Sequence, residues 1–418
     1  MAQVTWWGIA WRNLGRNSRR TVLTAAALAL GYFAVVVLSG LMQGLVDQLV
    51  QNGTSGLTGQ LQLHAAGYLP RRSVYRTIGG DSGVDVRALL LGLTADRDIR
   101  AAAPRLYGAG LVSAGPATQP AILMGIDPER EAHVTRVLAA IVRGRPPQAG
   151  RNEVLIGADM ARRLRITVGH DVVVVAPAAD GSLGNDRFVV SGVFETGVVE
   201  LDGAYSLLPL ASLANLLAIP RGSVHEIAVA VADPWEAPAV ARRVSERIGA
   251  GSAIEVRPWT SFRPEILDYA RLTDATSWFV LVVVFAVAVF GVANTMLMAT
   301  FERRHEFALL AALGVRATDI VRLVVYEAVV LAAISLVVGA VVAFPVMVWW
   351  HTAPPSLGWL HGGFSLAGAL VRPELRVQYV PGMAASSAVA LFVTALLGAT
   401  YPAARASRVP PAGALAEQ

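Results

Sequence analysis

Glu327, in the run VVYEAVV, and Asn294, in VANTMLM, are the polar groups that interrupt the most apolar stretches of this chain. A carboxylate in such surroundings points either to a proton relay or to an ion pair that offsets its burial. Glu327 lies about two turns into its apolar run, so it is expected to face Arg322 or a neighbouring helix rather than to relay protons. Asn294 reads as an inter-helix hydrogen bond before it reads as a substrate ligand. Covalent and metal chemistry find little here. There is no cysteine and no lysine, which removes a thiol nucleophile, a cysteine zinc site and the phosphate-binding loop G-x-x-x-x-G-K-[ST]. H-E-x-x-H is absent. The seven histidines are scattered; His351 and His361 share a loop without a matching carboxylate pattern and read as solvated. A Ser/His/Asp triad has no fixed spacing, and nothing in the chain points to one. The sequence therefore predicts no catalytic residue, no metal site and no cofactor bound by this chain.

The elements that carry these polar positions follow from composition. The 418 residues are 54% hydrophobic and only 16% charged, well below the quarter usual for a soluble domain. The excess is concentrated in four blocks. Thr21–Met42, Trp278–Thr300 and Ala384–Thr400 carry no charge, and Leu323–Trp350 carries only Glu327. About 20 apolar residues cross a bilayer core, so four crossings are expected. The first block is longer than a signal-peptide core, and no clear A-x-A site follows it, which favours a retained helix. Arg12, Arg16, Arg19 and Arg20 precede the first block, Arg303, Arg304 and Arg316 separate the second and third, and Arg405 and Arg408 follow the fourth. Positive-inside bias then places both termini and the 302–319 loop in the cytoplasm, and residues 44–273 outside.

The predicted order is an interfacial amphipathic helix over 1–20, with Trp7, Ala10, Trp11 and Leu14 on one face, and a first spanning helix over 21–43. An outer domain over 44–273 and a second spanning helix over 274–300 follow. A cytoplasmic helix over 301–319, a third spanning helix over 320–350, a short outer loop over 351–382, a fourth spanning helix over 383–403 and a tail over 404–418 complete it. The expected fold is an α-helical membrane protein with four transmembrane helices and a large α+β extracytoplasmic domain between helices 1 and 2. Strand-like runs are Gln60–His64, Ala121–Ile126, Glu153–Ile156, Asp171–Val175, Arg187–Phe194, Ala204–Leu208, Glu226–Val231 and Ile254–Arg257. Helix-like runs are Val84–Leu93, Pro128–Val142, Ala158–Leu164 and Pro234–Ile248, and the domain is expected to form two lobes. No Gly-rich linker separates it from the apolar blocks; Leu41–Gln51 and Glu265–Ala275 read as helical continuations. Ala27 and Gly31 form a small-xxx-small pair suited to close helix approach.

The stretch ERRHEFALLAALGVR (302–316) is too apolar for an ordinary exposed turn. As a helix it places Glu306, Leu309, Leu310 and Leu313 on one face, with Gly314 at its C-terminus and Thr318 or Asp319 capping the next helix. Its apolar stripe either packs on the protein's own helix ends or docks into a groove on a cytoplasmic partner.

NTMLMATFERRHEFALLAALGVRATDIVRLVVYEAVVL resembles the signature region of the FtsX-like permease family, the MacB-type membrane subunits of type VII ABC systems. IAWRNLGRNSRRTVLT is similar to that family's entry and YPAARASRVPPAGAL to its ending. AILMGIDPERE, NEVLIGADMARRLRITVGHDVVVVAP and FVVSGVFETGVVELDGAYSLLPL resemble the outer domain of the lipoprotein-releasing (LolC/LolE-like) branch. The resemblance implies a non-catalytic permease subunit driven by a separate cytoplasmic ATPase dimer that supplies ATP and Mg. It assigns the ATPase-coupling element to Arg303, Glu306, Leu309, Leu310, Leu313 and Gly314; Ala308 stands where many members have glycine. It implies a second permease copy, identical or paralogous, and extraction of lipoproteins or other acylated amphiphiles through a cavity on the first two spanning helices. Candidates for that cavity are Phe33, Val37, Met42, Phe279 and Phe290. A periplasmic chaperone is a further candidate partner, although APAADGSLGNDRF (176–188) is shorter than the family's chaperone hook and reads as a plain hairpin. Membrane lipids are expected as partners and nucleic acid is not. The alternatives are a mechanotransmission scaffold for a cell-wall hydrolase and an efflux permease for drugs or peptides.

Overall fold

The computed structural model describes residues 6–16, 18–69, 71–249, 252–357 and 364–409. In chain order the helices are α1 (Trp6–Arg16), α2 (Ser18–Ser55), α3 (Val86–Thr94), α4 (Pro128–Val134), α5 (Ala158–Leu164), α6 (Val199–Ala204) and α7 (Leu210–Leu216). They continue as α8 (Ala237–Ile248), α9 (Trp259–Phe262), α10 (Pro264–Glu302), α11 (Arg304–Ala312), α12 (Ala317–Thr352) and α13 (Pro381–Ala406). The strands are β1 (Leu61–Ala65), β2 (Ile99–Ala114), β3 (Ala117–Ile126), β4 (Ile141–Gly144), β5 (Glu153–Gly157) and β6 (Asp171–Pro177). After them come β7 (Leu183–Phe194), β8 (Tyr205–Pro209), β9 (Glu226–Val231), β10 (Ile254–Pro258), β11 (Phe364–Leu366) and β12 (Ala369–Val371). The chain divides into a helical unit (residues 1–45, 270–357 and 374–418) and an α+β unit (46–269 and 358–373).

Four helices, α2, α10, α12 and α13, are long and apolar enough to cross a membrane. Their shared core holds Leu28, Tyr32, Val35, Leu281, Phe285, Val292, Ala328, Leu331, Leu391 and Ala395. Ala25, Ala332 and Ala399 sit among these larger side chains, small residues that let helix backbones come close. The closest approach is not at Ala27 and Gly31: Ala27 is exposed and a Cβ on Gly31 would make only ordinary contact. It lies at Gly40 and Gly44, where the segment entering α13 crosses α2. A Cβ on Gly44 would stand 1.9 Å from the Arg376 carbonyl oxygen, and the Gln378 amide donates to the Gly40 carbonyl at 2.9 Å.

The α+β unit is built on one ten-stranded mixed sheet in the order β10-β1-β9-β2-β3-β8-β5-β7-β4, with β6 pairing β2 and β7. It is one continuous sheet, not two lobes. The runs β5 (EVLIG) and β9 (EIAVAV) are buried along their whole length, the pattern of interior strands covered on both faces. Two strands had no sequence signal. β2 (IRAAAPRLYGAGLVSA) is poor in β-branched residues and contains Pro104, yet it is held by pairing with β3, β6 and β9. β4 falls inside the run read as one long helix from Pro128; the helix ends at Val134 because Thr135 turns extended. At the heads of α4 and α3, Asp127 and Asp85 each accept two backbone amides, which is ordinary N-capping. The 351–382 connection is more than a loop. It contains the hairpin β11–β12, fastened within the α+β unit by Asn52 Nδ2 donating to the Leu370 carbonyl at 2.7 Å and by Arg263 donating to the Ala367 carbonyl.

Candidate functional site

α11 is where the sequence placed most of its candidate residues. Its nine residues end at Ala312, Leu313 follows as the C-cap, and Gly314 comes next with φ +83°, the left-handed turn that a glycine supplies without strain. The next helix begins at Ala317 with Arg316 before it, so Thr318 and Asp319 lie in its first turn rather than capping it. The apolar stripe of α11 is divided. Phe307 is buried against Ala10 of α1, Ile320, Leu323 and Val324 of α12, and Ala403 and Ala406 of α13, with Leu310 packed at the edge; Ala308 is fully buried as well. Leu309 and Leu313 point away, 50% and 74% exposed. One short helix thus shows one apolar face to its own unit and another to the outside.

An ion-pair network fixes α11 in that pose. Arg303 Nη1 donates to both oxygens of Glu327 at 2.8 and 3.0 Å, and its Nε donates to Glu306 at 3.0 Å. Asn13 Nδ2 of α1 donates to Glu327 at 2.7 Å, and Arg16 pairs with Glu306 at 2.9 Å. Arg20 of α2 holds Glu302 in a two-pronged contact at 2.8 and 2.9 Å. Of the two partners expected for Glu327, a neighbouring helix and not Arg322 is the one found: Asn13 of α1 reaches it together with Arg303, while Arg322 pairs with Asp319, three residues away. Arg322 lies on the exposed side of α12 and cannot reach an inward carboxylate, whereas Arg303 is carried there by the turn after α10. The Arg303 and Glu327 side chains are 18% and 7% exposed, so this pair sits in low dielectric while the outer pairs are solvated. Burial pulls the Arg303 pKa down, but Glu327 and Glu306 outweigh it and hold the guanidinium above its ordinary value. A recess of about 230 Å³ is lined by three arginines (Arg16, Arg20, Arg303) and three glutamates (Glu302, Glu306, Glu327), so its charges balance.

The cavity candidates do not gather. Val37 is part of the helical core, Phe33 packs on its edge and Met42 is half-buried. Phe279 and Phe290 lie exposed on α10, as does Asn294, which therefore faces away from the core rather than bridging helices. On α1, Ala10 is buried and Trp11 exposed; the Trp7 side chain lies outside the described residues. His351 sits in the last turn of α12, its Nδ1 3.0 Å from the Val377 carbonyl oxygen, and His361 lies outside the described residues. At 176–188 the chain turns between β6 and β7, with Asp180 accepting from Ser182 and Gly181 in the turn.

Sequence reading missed a second charged centre, inside the α+β unit. Arg105 on β2, fully buried, donates to both oxygens of Glu131 at 2.6 and 3.0 Å and to Glu226 at 2.9 Å. His64 Nε2 lies 3.2 Å from Glu226, and the rings of His64, Tyr68 and His225 stack in series. Since a carboxylate only accepts, His64 carries its proton on Nε2. Burial pushes the Glu226 carboxyl up, but the His64 hydrogen bond and the Arg105 charge outweigh it and hold the pKa at about 2. Burial pulls His225 down. Scattered over residues 64–226, these groups had no common spacing to read.

Four helices long and apolar enough to cross a membrane, taken with the family matches that follow, make this chain an ABC transporter permease of the FtsX/MacB type. The chain belongs to the MacB-like periplasmic core domain family, whose model matches residues 21–247; the FtsX-like permease C-terminal model matches 278–411. The lipoprotein-releasing system transmembrane protein LolC of Neisseria meningitidis is 24% identical over 412 residues, covering 94% of this chain and 93% of that one. LolE of Haemophilus influenzae is 22% identical over 274 residues, 63% of this chain and 64% of its own. Among solved structures, the periplasmic region of MacB from Actinobacillus actinomycetemcomitans superposes with TM-score 0.37 at 14% identity, covering 52% of this chain and 95% of that one.

Proposed function

We propose that this chain couples ATP hydrolysis by a separate cytoplasmic ATPase to the extraction of lipoproteins from the inner membrane, with α11 as the element the ATPase grips. The observation that carries the coupling is the division of α11: Phe307 and Ala308 anchored inward, Leu309 and Leu313 presented outward, and the turn between α10 and α11 clamped by Arg303 to Glu327. A helix so clamped moves with α12 and α1 when its outer face is pulled. Glu306 and Gly314 complete the element, the first within the clamp and the second ending the helix. The likeness to LolC along nearly the whole chain supports lipoprotein as the cargo. On this reading both termini face the cytoplasm, and two permease chains, identical or paralogous, pair to enclose the amphiphile between exposed faces of α2 and α10 that include Phe279 and Phe290. ATP and Mg bind the partner, not this chain.

The test is affinity purification from native membranes in mild detergent, comparing wild type with a Leu309→Asp/Leu313→Asp variant. Recovery of a small ATPase with acylated lipoproteins in wild type, and loss of the ATPase in the variant, is the expected result. An ATPase that stays bound to the variant would remove α11 as its dock. Co-purification of a soluble wall hydrolase or an efflux adaptor in place of lipoprotein would transfer the reading to signalling or drug export.

A further inference from the structure

A second recess lies at the same end of the helical unit, about 370 Å³ in volume and lined by Thr300, Phe301, Arg304, Tyr401, Arg405 and Arg408 among others. Where the first recess balances three arginines with three glutamates, this one has three arginines and, among its described lining residues, no carboxylate. The Arg405 guanidinium stands 5.5 Å above the Phe301 ring. Following α13 back from Arg405 in steps of four gives Tyr401, Leu397, Val393 and Val389, each exposed. Steps of four keep to one helix face. That face is therefore an apolar ridge about two and a half turns long, ended by an aromatic ring and then by cationic groups. Beside it α10 offers exposed Met298 and Phe301, the two helices meeting where Val292 packs on Gly398. Hydrocarbon, then tyrosine at headgroup depth, then arginine is the sequence of environments that one phospholipid molecule spans.

We propose that this recess is a binding site for a single anionic phospholipid, its phosphate held by Arg405 and Arg408 beside Tyr401 and an acyl chain lying along Leu397, Val393 and Val389. The inference rests on the reading of α10 and α13 as membrane-spanning but not on ATPase coupling or on the cargo. The apolar ridge commits the site to a lipid rather than to a free phosphate or a nucleotide, either of which would leave it uncovered. Exposed arginines in a headgroup region prefer an anionic over a zwitterionic lipid through charge alone, and the aromatic ring adds a cation–π contact that keeps Arg405 oriented.

Native mass spectrometry of the purified full chain tests this, with phosphatidylglycerol and phosphatidylcholine supplied at equal amounts in mixed micelles. Wild type should retain phosphatidylglycerol over phosphatidylcholine by roughly tenfold, and an Arg405→Gln/Arg408→Gln variant should lose that preference. Arg408→Gln alone, beyond the end of α13, serves if the double variant does not fold, and should weaken the preference. Equal retention of the two lipids by wild type, or an unchanged preference in the variants, overturns the site. Displacement of phosphatidylglycerol by glycerol phosphate at similar concentration would show a phosphate site and overturn the lipid assignment. No ATPase is present in this assay, so a failure here leaves the coupling role of α11 standing, and a failure of the Leu309 and Leu313 variants leaves this site standing.

Discussion

At the scale of single residues, burial decides which charges matter. Arg105 and Glu226 are shut away from water, and removing one member of such a pair leaves an uncompensated charge, which costs about 3–5 kcal/mol. Arg105→Met should thus destabilise the α+β unit severely, whereas Arg20→Gln, which breaks a half-exposed pair with Glu302, should change stability by under about 1 kcal/mol; thermal unfolding of the detergent-solubilised chain would separate the two. Acid sensitivity follows from the same centre. Glu226 is held at about 2 against an ordinary value of 4.5, so its contribution is complete above the unfolded value and is lost as pH falls from there toward 2. His225 is depressed below 6.5; the unfolded chain takes up a proton that the folded one refuses, so its contribution is lost as pH falls below 6.5. Both act in one direction. The unfolding temperature should drop between about pH 7.5 and about pH 2, and His225→Gln should flatten the upper part of that fall. A profile that is level over this range would mean the centre is not closed as described.

At the scale of elements, the long helices were legible because their signal is additive: runs of more than fifteen uncharged residues leave no other reading. The clamp that holds α11 was legible only in part. Glu327 declared itself as a charge in an apolar run, but its partner depended on a turn after Glu302 that brings Arg303 back, and a turn of one residue writes nothing into periodicity. β2 was invisible for the opposite reason. Its alanines, glycines and proline have no intrinsic strand preference, and only neighbours far along the chain make it extended. Gly40 and Gly44 were likewise unremarkable in sequence; their importance comes from the backbone that crosses them. Replacing Gly44 with leucine should displace the segment entering α13 and lower the yield of folded protein, whereas Gly382→Ala, where a Cβ meets open space, should be neutral. Size-exclusion profiles of the two variants after solubilisation would show the contrast. In Glu327→Gln the clamp keeps its shape and loses its charge; if the proposed coupling role is right, ATPase association should persist while lipoprotein release per ATP hydrolysed falls, and unchanged release would reduce Glu327 to a packing role.

At the scale of the whole molecule, the absence of cysteine means that neither unit depends on disulfides, so cohesion rests on packing and on the buried Arg105 centre. The sheet also manages its borders. β10 at one edge carries Glu255, Arg257 and Pro258, and β4 at the other carries Arg143 and ends at Gly144, features that discourage another chain from adding to an open edge. Reducing agent should accordingly leave the unfolding temperature unchanged, while Pro258→Val with Arg257→Val should increase self-association on concentration, as light scattering would detect. One further consequence concerns time. Among the described residues β1 pairs with β9 and β10 and no other strand, both made after residues 66–225. At about 5–20 residues per second β1 waits on the order of 10 s for its first partner to be synthesised. During that interval its row of amides and carbonyls is open, so the birth of this protein includes a window in which one strand exists before its mate has been translated.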